Sequence, residues 1–417
     1  MSGARDDRTG PVEQIEDDGM LSPGAMRRAA ASLVERVRGG DLGSIPVIVG
    51  VVVIWTVFQL LNPVFLTSAN LVLITMQCAA IGTIALGIVV VLLVGEIDLS
   101  VGSVSGLAAA ILAVSFVQLQ WNPIFALAAA ITAGMLAGLL YGFLYTRFGL
   151  PSFVITLAGL LGFLGLQLWV LGDTGSISLP FDSFFVQFAQ QMFLPAWASY
   201  TVVGVSVAAY ALSLVRRARR RSAANLEAQS YVEIGIRSAL LLVFLLVSAW
   251  YLNLSRGVGV MFLFFIGLVV AMHLVLSRTR WGRAVYAVGG SVEAARRAGI
   301  RVDRIYLSVF ALCSSLAAVG GVLAASRLAA ANQSSGGGDT NLNAIAAAVI
   351  GGASLFGGRG TAFSALLGVI VIQSISSGLT LLNLDSSVRF MVTGVVLVLA
   401  VIVDSISRRT RAASGRA

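Results

Sequence analysis

Apolar runs about as long as a bilayer is thick, separated by short polar breaks, set the rhythm of the chain. They predict spans near 45–66, 70–94, 101–119, 123–146, 152–171 and 198–215, then near 236–253, 258–277, 305–326, 342–357, 360–381 and 388–406. Two of these, 101–119 and 342–357, are short and rich in Gly, Ala and Ser. That composition predicts half-helices or re-entrant pieces, because irregular backbone at membrane depth survives only where other protein satisfies it. The expectation is an all-α, polytopic integral membrane protein with about ten to twelve transmembrane or re-entrant helices, filling residues 44–407.

With 58% hydrophobic and 11% charged residues, the chain is not written for one water-soluble core. Residues 1–43 are hydrophilic and mix acids with arginines around Gly, Ser and Pro, with no apolar core and no small-residue cleavage site. They read as a cytoplasmic, largely disordered arm rather than a signal peptide, with an interfacial helix expected near Met26–Arg38.

The formal charge is +9, and every cationic side chain apart from the single histidine is arginine. Arginines cluster before the first span (Arg27, Arg28, Arg36, Arg38), at Arg147, at Arg216 to Arg221, between Arg278 and Arg304, and at Arg408 to Arg411. The expected spans put all of these clusters on one side. The positive-inside rule makes that side cytoplasmic, so both termini are expected there, including a tail over 408–417. A nucleic-acid surface needs basic residues along a solvated face with base-reading partners, which these short scattered loops do not offer.

The absence of lysine closes several routes. A P-loop needs GxxxxGK[ST] and a Schiff-base enzyme needs a lysine amine. Cys78 and Cys313 lie far apart within apolar runs and read as small buried residues. His273 sits near the end of an apolar span, where an interfacial packing role is expected. No nucleophile, base and orienting acid stand together, so no catalytic set, metal site or cofactor is expected.

The segment VLLVGEIDLSVGS places Glu96 and Asp98 between a strongly apolar run and a Gly/Ser-rich one. Carboxylates this close to hydrocarbon need water, a partner charge or helix-end amides. Asp98 or Ser100 is positioned to cap a helix starting at Val101, and Gly95 and Gly102 allow tight turns. Two readings stand side by side: loop punctuation at the membrane surface, or a broken helix pair carrying polar groups toward a translocation path. The stretch Asn341–Gly360 has a similar texture, with a glycine-rich break carrying Arg359, and hints at a weak internal repeat. Gly336 to Asp339 reads as a flexible non-cytoplasmic turn. Gln77, Gln167, Asn332, Gln373 and Ser374 are expected chiefly in bonds between helices.

From Arg278 to Arg304 a long arginine-studded insert separates two apolar spans. Gly289-Gly290-Ser291 stops the incoming chain and offers Ser291 as N-cap; Glu293 suits the first turn and Gly299 the stop. The helix between them is expected to put Ala294, Ala295 and Ala298 on one face and Glu293, Arg296 and Arg297 on another, with Glu293 and Arg297 paired. Too short to persist alone, it suits a groove on another protein.

Glu293-Ala294-Ala295 followed by Gly299 resembles the EAA-type coupling loop of permease subunits from ATP-binding-cassette importers. The wider text is similar to the ribose/xylose-type branch of those permeases. It is carried by Gly95–Ser103 (GEIDLSVGS), by Gly282-Arg-Ala-Val-Tyr-Ala-Val-Gly-Gly290, by Ala294–Ile300 (AARRAGI) and by Ala344–Gly360, in that order. Relatives often have Asn where this chain has Ser291, which caps equally well. The extra material around Phe181–Ser255, together with AARRAGI, looks more like the xylose-type permeases.

The resemblance implies a permease domain over 44–407, with a coupling loop at 278–304, in a bacterial inner or plasma membrane. It implies ATPase-coupling residues at Glu293, Ala294, Ala295, Arg296 and Gly299; Glu96, Asp98, Ser100 and Arg359 stay, on the reading of the residues, candidates for a translocation-path or structural role. The implied partners are cytoplasmic ATPase subunits, an extracytoplasmic sugar-binding protein, a second permease subunit expected as a homodimer, and membrane lipid. The implied cargo is a monosaccharide, preferably a pentose such as xylose. The alternative is a secondary or facilitative transporter that uses Glu96 and Asp98 as an ion site, which leaves the insert unexplained.

Overall fold

The structure is a computed structural model that describes residues 45–226 and 229–385, together with 387, 388, 390–395, 398 and 402. The arm 1–43, its expected helix near Met26–Arg38, the tail 408–417 and part of the span expected at 388–406 lie outside the described residues.

The chain forms α1 (Ile45–Leu61), α2 (Ser68–Leu93), α3 (Val101–Ala113, continued by a wider π turn through Gln118), α4 (Pro123–Phe148) and α5 (Ser152–Leu171). A segment containing β1 (Ser176–Ser178) leads to α6 (Ala196–Ala223), α7 (Tyr231–Asn253) and α8 (Val260–Arg278). The insert holds two helices, α9 (Arg280–Gly290) and α10 (Val292–Arg297). Then come α11 (Val302–Leu328), β2 (Ala330–Asn332), α12 (Gly338–Ile350) and α13 (Ala362–Leu381). Among the described residues, 9 helices are long and apolar enough to cross a membrane. The all-α polytopic expectation is met, and the predicted spans agree with the helices to within a few residues, with two exceptions. The span expected at 198–215 continues as helix to Ala223 and carries the arginines 216–221 with it; the helix expected to reach 357 ends at Ile350.

Local chemistry sets the boundaries. Asn122 accepts from the Ile124 N–H at 3.0 Å, with Pro123 at the first helical position, and Gly149 closes α4 with φ 65°. The two short strands pair antiparallel, Ile177 opposite Ala331, which joins the α5–α6 connection to the exit of α11.

Connectivity gives the bundle two ends. Arg147, the arginines 216–221, Arg237 and the arginines of the insert share one end, whereas Arg256 and Arg327 lie at the other. The helices differ sharply in burial. The most apolar stretch of α2 is 89% buried, against 17% for α6 and 11% for α7. Lipid is as apolar as leucine, so inner helices associate through close packing rather than hydrophobicity. Gly134, Gly138 and Gly142 form a stripe on α4 pressed against α11. A Cβ added at Gly138 would lie 2.2 Å from the Phe310 carbonyl oxygen, and one at Gly142 would lie 2.7 Å from the Leu307 Cα. Backbone meets backbone there.

Candidate functional site

Two interruptions of the helical bundle meet near its centre. The first follows α2: residues 94–100 are unwound, with Gly95 at φ 84°. Asp98 is fully buried at 0% exposure, and its Oδ1 accepts from the Ser100 N–H at 2.8 Å and the Ser100 hydroxyl at 2.6 Å. Ser100 holds the capping position of α3, yet makes no side-chain cap bond. The expected cap is therefore replaced by a short turn that Asp98 ties onto Ser100. Tyr141 and Cys313 flank the carboxylate from α4 and α11.

The second interruption descends from the other end, between β2 and α12. Gly336, at φ 69°, packs so closely that an added Cβ would lie 2.0 Å from the Gly102 carbonyl oxygen. The Asn341 amide donates to the Leu99 carbonyl at 2.6 Å, and the Gln167 amide donates to the carbonyls of Asn332 at 3.0 Å and Ser335 at 2.9 Å. Depth follows from α11: Gly321 abuts the Ser105 carbonyl seven residues, about 10 Å, inside the helix end at Leu328, and Gly102 lies almost a turn deeper. The glycine run read as a flexible non-cytoplasmic turn enters from that end but is re-entrant, packed into the bundle. Only glycine permits that approach.

This junction is the least satisfied part of the interior. Asn341 Oδ1, Gln167 Oε1 and the Ser314 hydroxyl have no hydrogen-bond partner among the described residues, while the Asp98 carboxylate and the Tyr141 hydroxyl have only Cys313 and Ser100 beside their remaining polar atoms. Buried polar groups are costly when unpaired, which sets this junction apart from the close apolar contacts around it. Among the described residues no three His, Cys, Asp or Glu side chains converge as a metal would need.

At the arginine end the insert lies against the mouth of the first interruption and the loop 351–361. Trp281 of α9 donates from its indole to the Ser308 hydroxyl at 2.8 Å, and Val285 and Val288 are buried. A Cβ added at Gly289 would lie 1.8 Å from the Leu93 carbonyl oxygen, at the mouth of the first break, and 2.7 Å from the Gly358 nitrogen in the loop 351–361. The Gly358 N–H donates to that same Leu93 carbonyl at 2.9 Å, and the Tyr286 hydroxyl donates to the Gly360 carbonyl at 2.8 Å. Burial pushes the Tyr286 phenol up, which keeps it a donor. Arg359 belongs to the same loop, where its backbone carbonyl accepts from the Ser354 N–H at 3.0 Å. Glu96 accepts from the Tyr145 hydroxyl at 2.6 Å, and that ring lies 4.6 Å from Tyr306 near the start of α11.

The helix α10 is built as its sequence implies. Ser291 accepts from the Ala294 N–H at 3.2 Å, Arg297 and Glu293 pair at 3.1 Å, and Gly299 takes φ 79°. The alanine face divides, however. Ala295 is buried against this chain's own core, while Ala294 and Ala298 are exposed beside Glu293 and Arg296. One alanine anchors the helix and the rest stay accessible. Glu293 pairs with Arg297 rather than with Glu96 or Asp98; Gly289 of α9 is the residue that meets Leu93 at the first break. Sequence reasoning missed Trp281, Tyr286 and Tyr145, although the glycine pair 289–290 marked where close approach was needed.

The other residues singled out have structural places. Cys78 and Cys313 are buried and free, and His273 packs 5.0 Å from the Phe363 ring. Ser374 accepts from the Trp55 indole at 2.8 Å, a bond between helices.

Similarity to known proteins covers most of this architecture. The xylose transport system permease protein of Escherichia coli (strain K12) is 34% identical over 345 residues, 83% of this chain and 87% of the relative. Its counterpart in Haemophilus influenzae is 33% identical over 346 residues, 83% of this chain and 91% of the relative. The ribose import permease protein of Escherichia coli (strain K12) is 29% identical over 359 residues, 86% and 92% of the two chains. No solved structure matches the chain. Both interruptions, the insert and the helices they join fall within residues 70–401, which match the model of branched-chain amino acid transport system permease components, and the chain belongs to that family.

Proposed function

We propose that the chain is the membrane subunit of an ATP-driven sugar importer, with a pentose such as xylose as cargo. The observation that carries the mechanism is the seating of the insert against the mouth of the first interruption and the loop 351–361, through Gly289 at Leu93 and Gly358. The cargo class rests on the xylose and ribose permeases to which the chain is similar.

In this reading the arginine-rich end is cytoplasmic, with both termini there, and an ATPase pair docks on α10 around Glu293, Ala294, Arg296 and Gly299. Ala295 holds that helix to the permease, so a displacement of α10 passes into α9 and from there to the Leu93 and Gly358 backbones. Gly289 cannot yield without moving both. Asp98, Ser100 and Asn341 would then part or close at the junction above, exchanging access between the two sides. An extracytoplasmic binding protein delivers sugar at the end that carries β1 and β2, and two copies of the chain enclose the path. Residues 1–43 and 408–417 flank this permease domain on the cytoplasmic side.

The test is uptake by the chain reconstituted with its ATPase and binding protein. Glu293→Ala with Gly299→Asn, a residue that tolerates the φ of 79° at that position, is expected to lower ATP-driven xylose uptake at least about tenfold while leaving the protein folded and inserted, since both positions are exposed. Full uptake by the double variant overturns the coupling role. Uphill uptake by the chain alone, without nucleotide, overturns the ATP-driven reading in favour of a secondary transporter.

A further inference from the structure

A second place in the membrane domain carries chemistry that lipid cannot face. The exposed side of α12 meets α13 and the helical residues 390–395 around a cavity of about 150 Å³. Its walls include Asp339 and Asn343 from α12, Ser376 from α13 and Thr393, with Phe390 and Leu342 beside them. Asp339 and Leu342 are exposed, and the Phe390 ring is 51% exposed.

Depth makes this informative. Asp339 stands between Gly336 and Asn341, which contact Gly102 and Leu99, so it shares the level of the central junction, more than about 10 Å inside the bundle end. An ionisable side chain at that depth is costly against hydrocarbon and is found facing protein or a water-filled passage. The middle of α7 is a contrasting surface: Leu240, Val243, Phe244 and Val247 are all exposed there, and its charged residues, Glu233 and Arg237, stand in its first two turns.

We infer that this cavity lines the solute passage and that Asp339, Asn343, Ser376 and Thr393 take sugar hydroxyls as cargo crosses. The inference rests on the sugar-import reading for its ligand class, though not for its water-facing character. A carboxylate accepts two hydroxyl hydrogen bonds, an amide both accepts and donates, and two hydroxyls do either. An exposed aromatic face beside them suits the C–H side of a sugar ring. These groups would select a polyhydroxylated neutral solute over an apolar one of equal size, because an apolar solute leaves Asp339 and Asn343 without partners.

Ser376→Cys, close to isosteric, tests the passage in the full importer reconstituted in vesicles; Cys78 and Cys313 are buried and supply an unreactive background. Reaction with a charged, membrane-impermeant thiol reagent, slowed when xylose and its binding protein are present, is the expected result. Reaction with only an uncharged lipid-soluble maleimide places the face in lipid and overturns the inference. Reaction with neither places it in a protein interface and overturns it equally.

Asp339→Asn, which keeps the shape, is expected to lower maximal uptake about tenfold, the loss of charge-assisted hydrogen bonds, with ATP hydrolysis stimulated by the binding protein unchanged. Unaltered uptake removes Asp339 from the passage. Labelling without any xylose uptake by the wild-type importer retains the aqueous passage and overturns the sugar assignment alone.

Discussion

The helix α2 and the hairpin α6–α7 are both apolar enough to span a bilayer, yet 89% of the most apolar stretch of α2 is buried and only 11% of that of α7. Hydropathy does not separate them. What separates them is side-chain size and what lies beyond it. α2 carries Gly82 and Gly87, where an added Cβ would lie 2.4 Å from the Phe265 ring and 2.8 Å from the Cys313 carbonyl. α7 carries Gly235, with nothing within 4 Å. The inner helices are held by contacts that fail if a methyl group is added, whereas the hairpin meets the bundle lightly and presents Phe244 and Trp250 outward. α6 also outruns the bilayer: 28 residues span about 42 Å against a hydrocarbon core of about 30 Å, which carries its terminal arginines beyond the apolar layer. Membrane proteins of this kind divide their helices into a mechanism and a surround, and residue size rather than polarity draws the line.

The largest effect expected from this contrast is at the glycine stripe. Gly138→Leu should cost at least about 3 kcal/mol and most of the folded protein in detergent, since backbone on both sides must separate. Gly235→Leu, by the same measure of detergent melting and folded yield, should be neutral or slightly stabilising. Equal losses at both positions would abolish the distinction between inner and outer helices.

Next in size is the junction. Asp98→Ala leaves the buried Ser100 N–H and hydroxyl without their acceptor and is expected to cost about 3 kcal/mol, while Asp98→Asn keeps Oδ1 and costs about 1 kcal/mol. Thermal melting of the two variants checks the order. A melt of Asp98→Ala equal to wild type would mean that the tie from Asp98 to Ser100 holds nothing in place.

Gln167→Leu removes the amide bonds to Asn332 and Ser335 that pin the re-entrant turn and should cost about 1–2 kcal/mol. Hydrogen exchange localised to 332–337 should rise with it; a melt lowered without faster exchange there would mean that Gln167 supports something other than the turn. The smallest effect is at the exposed Arg297–Glu293 pair, with side chains 83% and 79% exposed. Arg297→Ala should leave the melting temperature unchanged, because solvent screens the pair.

Much of this was legible in the residues. Apolar run length gave the helices, since a helix must satisfy its own backbone in lipid whatever surrounds it. Ser291, Glu293 and Gly299 announced α10, because capping is local chemistry decided within a few residues. The depth of Gly336, the burial of Ala295 and the stripe on α4 were not legible. Each depends on which backbone arrives from far along the chain: Gly102 for Gly336, Leu307 and Phe310 for the stripe.

The division has one physical reason. Hydropathy, caps and glycine turns are properties of a short stretch in a given solvent, so the sequence by itself determined that this protein crosses a membrane, where most of its helices start and stop, and that it carries a capped peg between two spans. The order of helices in the bundle, the meeting of two breaks at its centre and the seating of α9 against the first break and the loop 351–361 arise from distant backbones approaching to within a methyl group. Only the tertiary structure decided those, since lipid offers every apolar face an equal alternative and leaves fit alone to choose.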